Sequence, residues 1–157
     1  MKEFEQHDHH ACIATSVAAA EARCAEEGLR LTEVRRRVLE ILLEQHRALG
    51  AYDILEILKS EGLGAQPPVA YRALDFLVSN GFAHKIERLN AFVACGHVDS
   101  DCAPAFLICR SCDKVAETAA APAETALGAS AAAAGFTIER TVLEVVGLCP
   151  TCKTDNA

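Results

Sequence analysis

The stretch PPVAYRALDFLVSNGFAHKIERLNAFVAC, residues 67–95, decides the fold of the first half of the chain. Two prolines can begin a helix but cannot lie inside one, and Asn80-Gly81 is a typical helix end. Apolar side chains between these signals recur at helical spacing: Ala70, Leu74, Leu77 and Val78. Polar side chains fall on the opposite face: Arg72, Asp75 and Ser79. The pattern predicts an amphipathic helix over 68–80.

Two short β-like runs follow this helix, at 83–87 and 91–95, joined by Arg88-Leu89-Asn90. This arrangement is typical of a β-hairpin. Before the helix, the pattern predicts three more helices over 12–27, 33–45 and 51–61, the second with Thr32 as its N-cap. Helices followed by a hairpin describe a winged helix-turn-helix, in which helix 68–80 reads DNA. The alternative is a small helical domain whose polar helix face is merely solvated.

The second half of the chain has a different character. Residues 105–109 and 115–118 are predicted strands around a cysteine-bearing turn, 120–134 is a helix of small residues, and 136–147 alternates like a longer strand. We therefore expect an α+β protein with a winged-helix domain over 1–92 and a second α/β domain over 93–157. The hinge is expected at about 91–104.

Four cysteines form two matched pairs, Cys109-x-x-Cys112 and Cys149-x-x-Cys152. Each tight turn can direct two sulfurs at one point, and two such turns make the closed four-thiolate site of structural zinc. The alternative is two disulfides or spare thiols, which a reducing compartment disfavours. Because a domain of this size has a small core, we expect zinc binding to contribute to its folding energy.

Further candidate ligands lie near the domain boundary: His84, Cys95, His97, Cys102 and Glu117. A mixed histidine, cysteine and carboxylate set suits a second, looser zinc site. The alternative is that Cys95 is a small buried hydrophobe and His84 an ordinary surface residue.

The composition limits the class of protein. The 157 residues carry a net charge of −7, yet residues 29–90 hold nine basic and eight acidic side chains, so the winged-helix region is the least acidic part. No apolar run is long enough to span a membrane, and no secretory signal is expected at the N-terminus. We expect a cytoplasmic protein whose DNA affinity depends on a metal or on dimerisation, because phosphate neutralisation alone would be weak.

The stretches AYDILEILKSEG, PPVAYRALDFLVSNGFAHKIERLNAFVAC, FLICRSCDKVAE and VLEVVGLCPTC resemble the Fur family of metalloregulators, most closely its zinc-uptake branch. The resemblance covers residues 12–153. It implies a C-terminal dimerisation domain and a homodimeric, zinc-responsive repressor of zinc-uptake genes that binds double-stranded operator DNA. It implies about two zinc ions per monomer and allows two dimers on one operator, exchanging charges through Glu56 and Lys59.

The resemblance also implies roles for particular residues. The structural site is matched by Cys109, Cys112, Cys149 and Cys152. The regulatory site is matched by His84, Cys95 and Glu117, with Cys102 as the fourth ligand and His97 as its alternative. DNA contacts are expected from Tyr52, Tyr71 and Arg72. The chain departs from the family at Val69 and Ala70, where a threonine that could cap the helix is missing.

Other functions compete with this one. An iron or peroxide sensor of the same fold would be expected to use more histidine and carboxylate ligands. A thiol oxidoreductase would carry one Cys-x-x-Cys at a helix start rather than two matched pairs, so we expect no enzyme. A zinc-stapled protein-interaction module would bind no DNA.

Overall fold

The computed structural model describes residues 9–45, 47–64, 66–96, 104–139 and 141–155. The chain divides into two compact units, one within Gln6–Cys102 and the other within Ala103–Ala157. Two predicted metal ligands, Cys102 and His97, lie outside the described residues.

The first unit contains four helices, which confirm the predicted order: α1 (His9–Glu27), α2 (Glu33–Glu44), α3 (Ala51–Ser60) and α4 (Pro67–Ser79). Helix α1 begins three residues before its predicted start. None of the helices in the described ranges is long and apolar enough to cross a membrane.

Local signals set the ends of these helices. The Thr32 hydroxyl accepts the Arg35 N–H at 3.4 Å, so it is the N-cap of α2 as predicted. Helix α4 ends at Ser79, and Gly81, two residues later, has a φ of +74° that suits a residue without a Cβ. The Phe82 N–H then donates to the Leu77 carbonyl at 2.8 Å, which closes the last turn and directs the chain into the next strand.

A small antiparallel sheet forms the wing. Strands β1 (Ala83–Ile86) and β2 (Ala91–Ala94) pair with Ala83 opposite Ala94 and Ile86 opposite Ala91. Leu49, just before α3, exchanges two backbone hydrogen bonds with Phe92, at 2.9 and 2.8 Å. The wing is therefore tied to the start of α3 as well as to the end of α4. This arrangement confirms the winged helix-turn-helix.

One apolar core holds the four helices and the wing together. Its largest fully buried side chains are Leu39, Ile41, Ile54, Leu58, Leu74, Leu77 and Phe82. Each such side chain contributes about 1.5–3 kcal/mol through removal of apolar surface from water. Because α4 buries one face in this core, its opposite face is held at a defined position on the surface.

The second unit is a three-stranded sheet with a crossover helix. Its elements are β3 (Pro104–Cys109), β4 (Val115–Ala119), α5 (Ala121–Ala133), β5 (Leu143–Gly147) and α6 (Pro150–Asp155). The strand order is β4-β3-β5, with β3 antiparallel to β4 and parallel to β5. This order leaves β5 at one edge of the sheet.

The last strand is shorter than the predicted one over 136–147. Among the described residues of this stretch, Leu143–Gly147 forms the strand, and it pairs with β3 from Ala105 onward. The described residues of 136–142 form no strand, so the predicted alternation there is not realised as sheet pairing. The short helix α6 was not predicted.

Apolar side chains remain exposed in this second unit. They are Leu127, Phe136, Ile138, Val142, Val145 and Val146, with Phe136 67% and Val145 53% exposed. Monomeric proteins rarely expose many large apolar side chains in one small unit, so these residues indicate a surface that binds another protein chain.

Candidate metal centre and nucleic-acid interface

The sheet of the second unit brings the two cysteine pairs to one place. Cys109 ends β3, and its turn to β4 is closed by the Cys109 N–H donating to the Lys114 carbonyl at 2.9 Å. In the parallel ladder Cys109 lies opposite Gly147, two residues before Cys149. The Arg110 N–H also donates to the Gly147 carbonyl at 2.9 Å. The strand register therefore places Cys149 and Cys152, at the start of α6, next to Cys109 and Cys112.

The four sulfurs have the spacing of a metal site. The Sγ atoms of Cys109, Cys112, Cys149 and Cys152 lie within 4.8 Å of one another, and the Cys112–Cys149 distance is 3.8 Å. A disulfide needs about 2.05 Å, whereas sulfurs about 2.3 Å from one zinc ion lie about 3.8 Å apart in a tetrahedron. All four cysteines are free thiols. The residues present therefore fit a thiolate-binding divalent cation such as zinc.

Backbone hydrogen bonds prepare part of this cluster for ionisation. The Cys149 N–H donates to the Cys109 sulfur at 3.4 Å, and with the N–H groups of Ser111 and Cys112 it lowers the pKa of Cys109 to about 6. The Ser111 hydroxyl acts in the same direction on Cys152. Even so, the neighbouring thiols of Cys149 and Cys112 raise the pKa of Cys152 to about 12. The crowded sulfurs can all ionise together only beside a positive charge.

The wing places two of the predicted regulatory ligands side by side. His84 is in β1, and the antiparallel register carries Cys95, just after β2, opposite Phe82. The Cys95 N–H donates to the Phe82 carbonyl at 2.9 Å. Because Phe82 and His84 are two residues apart, their side chains share a face with Cys95. The Cys95 sulfur, buried, and a ring nitrogen of His84 lie within 4.8 Å of each other.

The second unit carries another predicted regulatory ligand. Glu117 is half-buried in β4 of the second unit, opposite Phe106 of β3. Cys102 and His97 fall outside the described residues.

The three predicted DNA-contacting residues are all exposed on the first unit. Tyr71 and Arg72 occupy the outer face of α4, and Tyr52 lies in the first turn of α3 with 68% of its surface exposed. The buried residues of α4 are Ala70, Ala73, Leu74 and Leu77. A helix so placed presents its polar side to solvent, as a reading helix must.

A cleft of about 310 Å³ opens beside these tyrosines. Its lining comes from the start of α3, the outer face of α4 and the wing: Gly50, Ala51, Tyr52, Tyr71, Asp75, Val78, Lys85, Asn90 and Phe92. Lys85 and Asn90 were not predicted as site residues. Asp75 was placed on the polar face of its helix by sequence, without an assigned role.

The charged pair expected to link two dimers lies on α3. The Lys59 Nζ and the Glu56 Oε1 are 3.7 Å apart within the chain. An exposed pair at this spacing is worth about 0.2–0.5 kcal/mol, so it would be available for exchange with another molecule.

Comparisons with known proteins agree on one family. The model of the Ferric uptake regulator family matches residues 26–146. The zinc uptake regulation protein of Escherichia coli (strain K12) is 40% identical over 137 residues, covering 87% of this chain and 80% of the relative.

Two solved structures are similar throughout. One is described as a zinc uptake regulator complexed with zinc and DNA; it has 38% identity and a TM-score of 0.88, over 92% of this chain and 97% of that one. The other is holo XcZur, with 40% identity and a TM-score of 0.82, over 89% of this chain and 98% of that one. This chain belongs to the Ferric uptake regulator family.

Proposed function

We propose that this protein is a zinc-responsive transcriptional repressor, which binds operator DNA as a zinc-loaded homodimer and represses zinc-uptake genes. The observation that carries the proposal is a four-sulfur cluster with zinc spacing on a chain whose other unit is a winged helix. The similarity to a zinc uptake regulator complexed with zinc and DNA supports it. The protein acts in the cytoplasm by binding rather than by catalysis.

The structural zinc site consists of Cys109, Cys112, Cys149 and Cys152. These residues join the β3–β4 turn to α6, so they fasten the end of the chain to the centre of its sheet. Four protein ligands leave no open position for a substrate, which is the property of a structural site. Zinc bound there would supply folding energy to the second unit.

The regulatory zinc site consists of His84, Cys95, Cys102 and Glu117, with His97 as the alternative to Cys102. The support is the adjacency of His84 and Cys95 in the wing and the resemblance of these positions to the family pattern. His84 and Cys95 belong to one unit and Glu117 to the other. Zinc bound by these side chains would therefore couple DNA reading by the first unit to dimerisation by the second.

The DNA interface consists of α4 and the residues around it. Arg72 contacts a base edge or a phosphate, while Tyr71 and Tyr52 contact sugar-phosphate or thymine methyl groups. Their exposure on one side of the first unit supports these roles.

The dimer interface consists of the exposed apolar side chains of the second unit and the edge strand β5. An edge strand has unpaired backbone groups that can pair with a second copy. A dimer presents two reading helices at one spacing, so dimerisation sets which DNA sites fit. Two such dimers can bind one operator, and Glu56 and Lys59 of one dimer then exchange charges with those of the other.

Metal content and DNA binding of matched cysteine variants test the regulatory site. The wild type should hold about two zinc ions per monomer, and mild chelation should remove one of them together with operator binding. Cys95→Ser should remain a folded dimer with about one zinc ion, and zinc should not restore its operator affinity. Cys12→Ser, which removes an exposed thiol of α1, is the control and should behave as the wild type. A zinc response of Cys95→Ser equal to the wild type's would disprove the regulatory assignment.

The fourth regulatory ligand is decided by the same measurement on two further variants. Loss of the zinc response in Cys102→Ser alone supports Cys102. Loss in His97→Ala alone assigns the position to His97 instead.

The thiol ligands distinguish a zinc sensor from an iron or peroxide sensor of the same fold. Cys95 in the site favours zinc, because thiolates bind zinc well while iron and manganese sites are richer in histidine and carboxylate. Operator binding should therefore respond to zinc at lower free concentrations than to ferrous iron or manganese. Absence of any metal-dependent DNA binding would instead favour a protein-interaction module.

A further inference from the structure

Asp75 lies at the centre of the outer face of α4, between the two residues already assigned to DNA. At 3.6 residues per turn it is rotated about 40° from Tyr71 and about 60° from Arg72 around the helix axis. Its side chain is exposed, and it lines the cleft that also contains Tyr52 and Tyr71. If this face of α4 lies in a DNA groove, Asp75 reaches the DNA together with Tyr71 and Arg72.

A carboxylate at this position needs an explanation. It is repelled by phosphate groups, and the chain already carries a net charge of −7. Lys85, which also lines the cleft, pairs with Glu87, with 3.3 Å between the Lys85 Nζ and a Glu87 carboxylate oxygen. Among the described residues none forms an ion pair with Asp75. The carboxylate oxygens can therefore accept hydrogen bonds from a ligand in the cleft.

The major-groove edge of DNA offers a specific partner for an acceptor-only group. Guanine presents two acceptors, thymine presents an acceptor and a methyl group, and adenine presents its amino group beside the N7 acceptor. Cytosine presents the N4 amino donor alone. A carboxylate therefore favours cytosine and is repelled by the acceptors of guanine.

We infer that Asp75 is a specificity-determining residue of the protein–DNA complex, which accepts a hydrogen bond from the N4 amino group of a cytosine. This inference rests on the proposed DNA-binding function. Arg72 is three residues away, about 4.5 Å along the helix axis, which is near the spacing of neighbouring base pairs. The two residues therefore read different base pairs.

The test begins with duplexes selected from a randomised pool by the zinc-loaded wild type. Each base pair of the selected site is then replaced in turn, and dissociation constants are measured at one salt concentration. One cytosine position per half-site should lose about 5- to 150-fold in affinity when cytosine is replaced. In Asp75→Asn this position should prefer adenine, because asparagine pairs with adenine N6 and N7. The ranking at the other positions should not change.

Two further variants separate base reading from charge and from folding. Glu26→Gln changes the net charge equally at an exposed position of α1, and it should alter affinity for all duplexes by one common factor. Asp75→Ala should lose the cytosine preference without gaining one for adenine, while keeping its zinc content and circular dichroism spectrum.

Two results would overturn the inference while leaving the proposed function intact. One is that Asp75→Asn tightens binding to all duplexes by a common factor, since Asp75 would then be only a repulsive surface charge. The other is that the cytosine position keeps its preference in both Asp75 variants. A zinc-loaded wild type that selects no duplex would refute the proposed function itself.

Discussion

The three consecutive arginines of α2 are engaged within the protein rather than free for DNA. Arg35 lies over the Phe76 ring at 3.8 Å, and Arg36 pairs with Glu21 and Glu40. Arg37 donates two hydrogen bonds of 2.8 Å to Glu61, which with Glu44 raise the pKa of Arg37 above its usual range. A basic run therefore serves helix packing here, and the proposed DNA contacts come from single exposed residues.

Arg72 is the clearest of these single residues. No described residue forms an ion pair with it, and it lies on the exposed face of α4. Arg72→Ala should weaken operator binding by about 1–3 kcal/mol if the guanidinium reads a base through two hydrogen bonds. Zinc content should not change. Unaltered operator affinity in titrations at constant salt would mean that Arg72 faces away from the DNA.

At the scale of elements, the second unit depends on one cross-link between distant segments. The β3–β4 turn and the start of α6 are separated by 36 residues in sequence, yet their sulfurs lie within 4.8 Å. Helix α5 is largely exposed and rich in alanine, and β5 is mostly exposed or half-buried, so neither supplies a large core. The sulfur cluster therefore has to contribute much of the stability of this unit.

Cys149→Ser should unfold the second unit and abolish dimerisation, because the binding energy of the site is folding energy. Circular dichroism should show loss of structure confined to this unit, and light scattering should show loss of the dimer. Cys24→Ala is the comparison, since it removes a buried thiol of α1 without touching the cluster and should keep the dimer. A Cys149→Ser protein that remains a dimer with tightly bound zinc would disprove the four-thiolate site.

At the scale of the whole molecule, the chain divides into two compact units, and the proposal assigns DNA reading to one and dimerisation to the other. With the proposed regulatory ligands drawn from both units, zinc binding and DNA binding would be reciprocally coupled. The expected size of this coupling is about 1–3 kcal/mol, and zinc affinity should rise by the same factor when operator is present.

Val146→Asp should convert the dimer into monomers. Val146 is 41% exposed on the edge strand β5, and a charge there would be buried without a partner when two copies associate. Sedimentation should show the smaller species, with the structural zinc retained and operator affinity reduced. Thr125→Asp, at an exposed polar position of α5, is the matched control. An unchanged dimer would place the interface elsewhere.

Signals that act over a few residues could be predicted from the sequence. Thr32 marks the start of α2 and Gly81 follows the end of α4, and the hydrogen bonds at both places join residues three to five positions apart, so these signals are visible locally. The outer face of α4 follows from helical periodicity, and the turns of the two cysteine pairs follow from their spacing. The family resemblance added the assignment of the regulatory ligands, which local patterns left open.

Pairing between distant segments was decided only by the tertiary structure. The alternation over 136–147 is a strand pattern, but in the described residues β5 covers only Leu143–Gly147, and its ladder with β3 begins at Ala105. The same ladder sets which residue of β5 lies opposite Cys109, and no local signal encodes that register. The cleft that joins Asp75 to Tyr52 and Lys85 likewise exists only once α3, α4 and the wing share one core, because its lining residues are far apart in sequence.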